Sequence, residues 1–179
     1  MKISQYVAVL DTCVLAPMPI ADTLLRLAEE PAFFTPKWSP HIIEELQRTL
    51  KGKLGRSQAQ TERRIETMKL FFPDAMVAGY EGLIASMTND PKDRHVVAAA
   101  VRCGAHAIVS DNVKHFPKES LAAYGLECLT ADGFLVHQYH LNPDAFIEVL
   151  VQQASDIGCS LSQLISKHVP SLSTLIIAR

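Results

Sequence analysis

Residues 6–15, YVAVLDTCVL, decide the fold. Tyr6, Val7, Ala8, Val9 and Leu10 form an unbroken apolar, β-favouring run that stops at Asp11. A strand with one wet face alternates polar and apolar residues, whereas an unbroken run predicts a strand buried on both faces, as in a parallel sheet. Residues 106–109 (HAIV) read as the next buried strand and 126–129 (LECL) as another strand. Between and after them the apolar spacing turns helical. Helices are predicted over 20–30, ended by Pro31, and from Ser39-Pro40 to about Leu50, stopping near Gly52, with Ser as N-cap and Pro at the first helical position. Ser57 with Gln60 makes a capping box for a further helix to about Phe72.

Downstream, 33–35 and 75–78 read as short extended pieces and 80–87 as a helix, and Asn89-Asp90-Pro91 is a turn. Residues 93–103 are Ala- and Val-rich and helical, closing on Gly104. Helices follow at 118–124 and, capped by Thr130, to about His140. Strands alternating with helices predict the α/β class: a central parallel sheet covered on both faces, a three-layer α/β/α arrangement over residues 1–140. Residues 141–179 carry helical patterning only, at 145–154, 161–168 and the apolar tail LSTLIIA. They read as a helical C-terminal extension, either packed on the main domain or used to bind a partner.

The totals fit that picture. A chain of 179 residues with 48% hydrophobic and 20% charged residues has the composition of an ordinary globular protein. A net charge of -2 argues against a strongly basic, sequence-independent nucleic-acid binder. Cys13, Cys103, Cys128 and Cys159 are scattered, without zinc spacing, and read as free thiols of a reducing compartment. The apolar run in MKISQYVAVLD is too short for a signal peptide, and no stretch reaches the length of a membrane span. The expected location is cytoplasmic.

Four acids stand where a parallel sheet presents its ligands. Asp11 follows the first strand, and Asp111 lies two residues beyond the strand ending at Val109. Ligands of open parallel sheets bind outside the carboxyl ends of the strands. Asp93 opens a helix, where its charge is favoured. Glu45 lies beside the apolar stripe of Ile42, Ile43 and Leu46. Each acid alone has a plainer explanation, as turn residue, helix cap or solvated charge. Together they would repel by about 4 kcal/mol per pair at ~4 Å and an effective dielectric near 20, so a cluster needs protons or cations. Oxygen-only ligands favour Mg2+ or Mn2+ over zinc.

The strings VAVLDTCVL, SPHIIEEL, DPKDRHVVAAAV and AIVSDNVKHF resemble, in order, the four sequence blocks of PIN-domain nucleases, and most closely the VapC-like toxin branch. The resemblance covers roughly residues 6–140 and implies a PIN-like fold. It implies one or two Mg2+ or Mn2+ ions held by Asp11, Glu45, Asp93 and Asp111, with Asp90 a competitor for the third position. It further implies hydrolysis of RNA phosphodiester bonds to a 5′-phosphate and a 3′-hydroxyl, by the toxin of a type II toxin–antitoxin pair. Expected partners are then RNA, a cognate antitoxin and, in some relatives, a second copy as homodimer. Thr12, Ser110 and Asn112 are candidate contacts to substrate phosphate, or turn and cap residues.

Arg48, Lys51, Lys53, Arg56, Arg63 and Arg64, opposed only by Glu62, form either a rim that guides RNA or a solvated helical face. Arg48 and Lys51, nearest Glu45, are the substrate candidates. Trp38 can stack a base or pack; His95 and His115 lie near the acidic blocks; Met68, Leu70, Phe71 and Phe72 read as core. Two other functions compete. An aspartate-nucleophile phosphatase also begins strand-Asp-Thr, but normally places a second Asp where Cys13 stands. A catalytically inactive PIN-like domain that binds RNA or a partner would carry the same fold.

Overall fold

The computed structural model describes residues 6–29, 32–166 and 169–177. The opening run becomes strand β1 (Val7–Leu10), whose Ala8, Val9 and Leu10 are wholly buried. It pairs on one side with β2 (Thr35–Lys37) and on the other with β3 (Ala107–Val109), which pairs with β4 (Glu127–Leu129). The sheet is parallel throughout, in the order β2-β1-β3-β4. Successive strand residues face opposite sides, so full burial of consecutive residues in β1 and β3 means that both faces are covered.

The connecting helices are α1 (Thr12–Leu15), α2 (Ile20–Ala28), α3 (Pro40–Gly52), α4 (Gln58–Phe71), α5 (Arg94–Cys103), α6 (Lys118–Ala122) and α7 (Ala131–Leu141). Local signals hold. Ser39 accepts from Ile42 N–H, the Ser57–Gln60 capping box is reciprocal, and Thr130 accepts from Gly133 N–H. Gly104 closes α5 in the left-handed conformation, φ 63°. Helix α5, with six consecutive buried residues from His95 to Ala100, packs on β1 and β3.

Four expectations shift. The strand expected at 33–35 lies at Thr35–Lys37, where Pro36 is tolerated because β2 is an edge strand. The strand expected at 75–78 shrinks to one parallel bridge between Trp38 and Met76, after a 3-10 turn at Pro73–Ala75. The helix expected at 80–87 is a 3-10 turn, Glu81–Ser86, without a side-chain cap and with Gly82 in its first turn. Leu70 and Phe71 are exposed rather than core. The inward stripe of α4 runs through Thr61, Ile65 and Met68, which puts Leu70 on the opposite face. Phe72 meets the buried Trp38 edge-on, ring centroids 5.9 Å apart, so Trp38 packs and does not face a ligand. The expected stop at 30–31 and the end of the helix expected at 161–168 lie outside the described residues.

The last part of the chain forms α8 (Pro143–Ile157), α9 (Leu161–Ser166) and α10 (Pro170–Ile177). Helix α8 lies on α2, where the buried Gln153 accepts from Thr23 Oγ1 at 2.7 Å and donates to the Pro19 carbonyl at 3.2 Å. Helix α10 lies on α7, and Asp132 accepts from Ser171 N–H and Leu172 N–H. Among the described residues no helix is long and apolar enough to cross a membrane.

Candidate functional site

Asp11 extends the β1–β3 ladder by one rung, its N–H donating to Val109 O at 3.1 Å. The chain then turns into α1, and Asp11 becomes that helix's N-cap, Oδ1 accepting from Thr12 N–H at 2.6 Å. This unforeseen short helix holds the carboxyl at the strand end. Its other oxygen, Oδ2, accepts from Ser110 Oγ at 2.7 Å and from the Cys13 thiol at 3.2 Å. Ser110 is itself fully buried at the end of β3. Asp11 is only 3% exposed, and burial pushes its carboxyl above the usual range, with the charge of Asp93 adding to the effect; the bonds from Ser110, Cys13 and Thr12 oppose it.

One crevice is lined by Asp11, Glu45 and Asp93 together with Thr12, Asn112 and Arg48. Cys13, Thr49 and Lys53 also reach it. Asp93 precedes α5 but does not cap it; its Oδ2 lies 2.6 Å from His115 Nδ1 instead. Glu45 is half-buried on the third helix. Its Oε2 accepts from Thr12 Oγ1 at 3.2 Å, while Oε1 stands 3.4 Å from His95 Nε2 and 4.0 Å from Arg48. The His95 approach lacks hydrogen-bond geometry and is an ion pair only when the imidazole is protonated. Burial raises the Glu45 carboxyl, but His95, Thr12 and Arg48 outweigh it and hold it below the ordinary value.

Three expected site residues stand outside this lining. Asp111 is exposed and its Oδ1 accepts from Ala131 N–H at 3.0 Å, the first residue of α7. Ser110 acts on the crevice through Asp11. Lys51 donates to Gln58 Oε1 at 3.1 Å. Asp90 does not line the crevice, but one ligand atom each from Asp90, Asp93 and His115 lie within 4.8 Å of one another.

Sequence reading undervalued three neighbours of the acids. His115 bonds to Asp93, His95 faces Glu45, and Cys13 both donates to Asp11 and accepts from Asp111 N–H at 3.2 Å. Nearness to the acidic blocks was the only available signal for the two histidines. The Cys13 thiol is pushed up to about 12, by burial first and then by Asp11, so it stays a thiol at neutral pH and is no nucleophile.

The arrangement suits a hard divalent cation. Three carboxylates line one crevice, that of Asp11 buried with its charge destabilised, and the remaining lining offers hydroxyl, amide, thiol and cationic groups. Comparison with known proteins agrees with the geometry. A relative named "Putative ribonuclease VapC50", from Mycobacterium tuberculosis, is 47% identical over 77 residues, which cover 43% of this chain and 46% of the relative. The chain thus matches less than half of that relative's length. The family model described as PIN domain matches residues 7–114, which include β1 to β3 and every acid of the crevice. The chain belongs to the PIN domain family.

Proposed function

We propose that this protein is a metal-dependent endoribonuclease that hydrolyses RNA phosphodiester bonds, and that it serves as the toxin of a type II toxin–antitoxin pair. The carrying observation is that buried Asp11 lines one crevice with Asp93 and Glu45. The family and the name of the mycobacterial relative support the nuclease reading; the toxin assignment rests on the VapC-like sequence blocks. Cytoplasmic RNA as substrate and an antitoxin as inhibitor belong to the same reading.

Asp11, Asp93 and Glu45 would hold Mg2+ or Mn2+; Asp111, which accepts from Ala131 N–H outside the lining, is a ligand only by the sequence resemblance. Such an ion, when bound, acidifies a water and neutralises charge on the phosphate. The chain's own part is orientation. Ser110 and Thr12 N–H fix the Asp11 carboxyl, and Thr12 Oγ1 fixes that of Glu45. Arg48 and Lys53, on the lining, would attract the phosphate backbone, and the Asn112 amide would bond it.

The test is cleavage of a mixed RNA pool with Mn2+. Asp11→Asn and Asp93→Asn should each abolish it while the circular dichroism spectrum stays unchanged. Undiminished cleavage in excess chelator refutes the metal role. Binding of RNA without cleavage would favour the inactive binding domain, and phosphate trapped on Asp11 from a small phosphomonoester would favour the phosphatase.

A further inference from the structure

His115 joins two loops that bear the acidic crevice. Its Nδ1 lies 2.6 Å from Asp93 Oδ2 across 22 residues of chain. An ionised carboxylate only accepts, so the contact is a hydrogen bond in the form of the imidazole that carries a proton on Nδ1. The backbone of His115 is tied on both sides. Its carbonyl accepts from Asp90 N–H at 3.2 Å and from Asn89 Nδ2 at 3.4 Å, and its own N–H donates to Asn112 O at 2.8 Å. The turn after β3, which carries Asn112, is therefore clasped to the turn before α5, which carries Asp93. Among the described residues no other side chain hydrogen-bonds the Asp93 carboxylate.

We propose that His115 is a positioning residue: it fixes the Asp93 carboxylate through Oδ2 and leaves Oδ1 to a divalent cation. The proposal rests on the reading of Asp93 as a metal ligand. A carboxylate that is itself hydrogen-bonded binds in one orientation instead of several, so less freedom is lost when the ion arrives. Removal of such an outer partner typically weakens metal binding about 10–100-fold.

The experiment is Mn2+ titration of the full chain by calorimetry, with RNA cleavage measured in parallel. His115→Ala should weaken Mn2+ binding by about 10–100-fold, and His115→Asn, whose amide nitrogen can stand where Nδ1 stands, should recover most of the loss. His140→Ala, at an exposed position on α7, should change nothing. Wild-type affinity in His115→Ala overturns the proposal. So does imidazole nitrogen coupling to bound Mn2+ in pulsed electron paramagnetic resonance, because His115 is then a ligand itself, in the Asp90–Asp93–His115 cluster. If His115→Ala does not fold, His115→Asn and the imidazole 15N shifts of the metal-free wild type decide. A protonated Nδ1 supports the clasp, and a bare Nδ1 overturns it. Mn2+ binding that survives Asp93→Asn unchanged defeats the ligand reading of Asp93, and this proposal with it, whatever the His115 variants do.

Discussion

Replacing Ser110 by alanine removes the buried hydroxyl that supports Asp11. The Ser110 hydroxyl is fully buried, donates to Asp11 Oδ2 at 2.7 Å, accepts from Asn112 N–H at 3.2 Å and lies 3.2 Å from Cys13 Sγ, a far weaker partner. Asn112 is exposed, so water can take over its N–H. Asp11 is 3% exposed, so water cannot readily replace the lost donor there. A hydrogen bond to a charged group contributes about 1.5–3 kcal/mol, and at this chain length each kcal/mol moves Tm by roughly 2–4 °C. Ser110→Ala should therefore lower Tm by about 3–12 °C in metal-free protein at pH 7.5. The bond stabilises the ionised carboxylate, so the loss should shrink at pH 5, where Asp11, with its raised pKa, binds protons more readily. Thermal and urea unfolding followed by circular dichroism at both pH values measure this. A loss below about 0.5 kcal/mol, or an equal loss at both pH values, would refute the assignment of Ser110 as the support of Asp11.

Two more expectations concern charge. The Asp11 carboxyl is raised on folding, so it contributes stability that is present below its unfolded value of 3.8 and is lost as pH rises through the folded value; Glu45 is lowered, so its contribution is lost only as pH falls below 4.5. Between pH 4.5 and neutrality, metal-free wild type should thus gain stability on acidification from Asp11 alone of this pair, and Asp11→Asn should flatten that slope in paired denaturation series. Arg48→Ala and Lys53→Ala should each raise KM for RNA with little change in kcat and reduce the salt slope of binding by about 0.7. Lys51→Ala, whose ammonium is turned to Gln58, should do neither.

What the sequence showed was mostly short in range. The Ser39-Pro40 start and the Ser57–Gln60 box are read within four residues and appear as written. Tyr6 to Leu10 announced a strand buried on both sides because no polar residue interrupts it. Pro36 hid β2, since edge position is a property of the assembled sheet and not of the strand. Asp11 and Asp93 were legible as crevice acids from strand-end and helix-start placement. The partners that hold them were not. Ser110 and His115 lie 99 and 22 residues away from the acids they bond, and no local pattern encodes such distances. Leu70 and Phe71 look apolar enough for a core, and only the rotation of α4 decides otherwise.

The pairing of β1 with β3 also has a consequence in time. Ala8 meets Ala107 across 99 residues of chain, with Asp11 waiting on Ser110 over the same span. At a synthesis rate of about 5–20 residues per second, the ribosome needs on the order of 5–20 s between making the acid and making the hydroxyl that holds it. During that interval the central rung of the sheet does not exist, and the crevice has only one of its walls. A nascent chain of this protein therefore leaves the exit tunnel without the hydroxyl that holds Asp11, and the crevice is complete only when β3 docks.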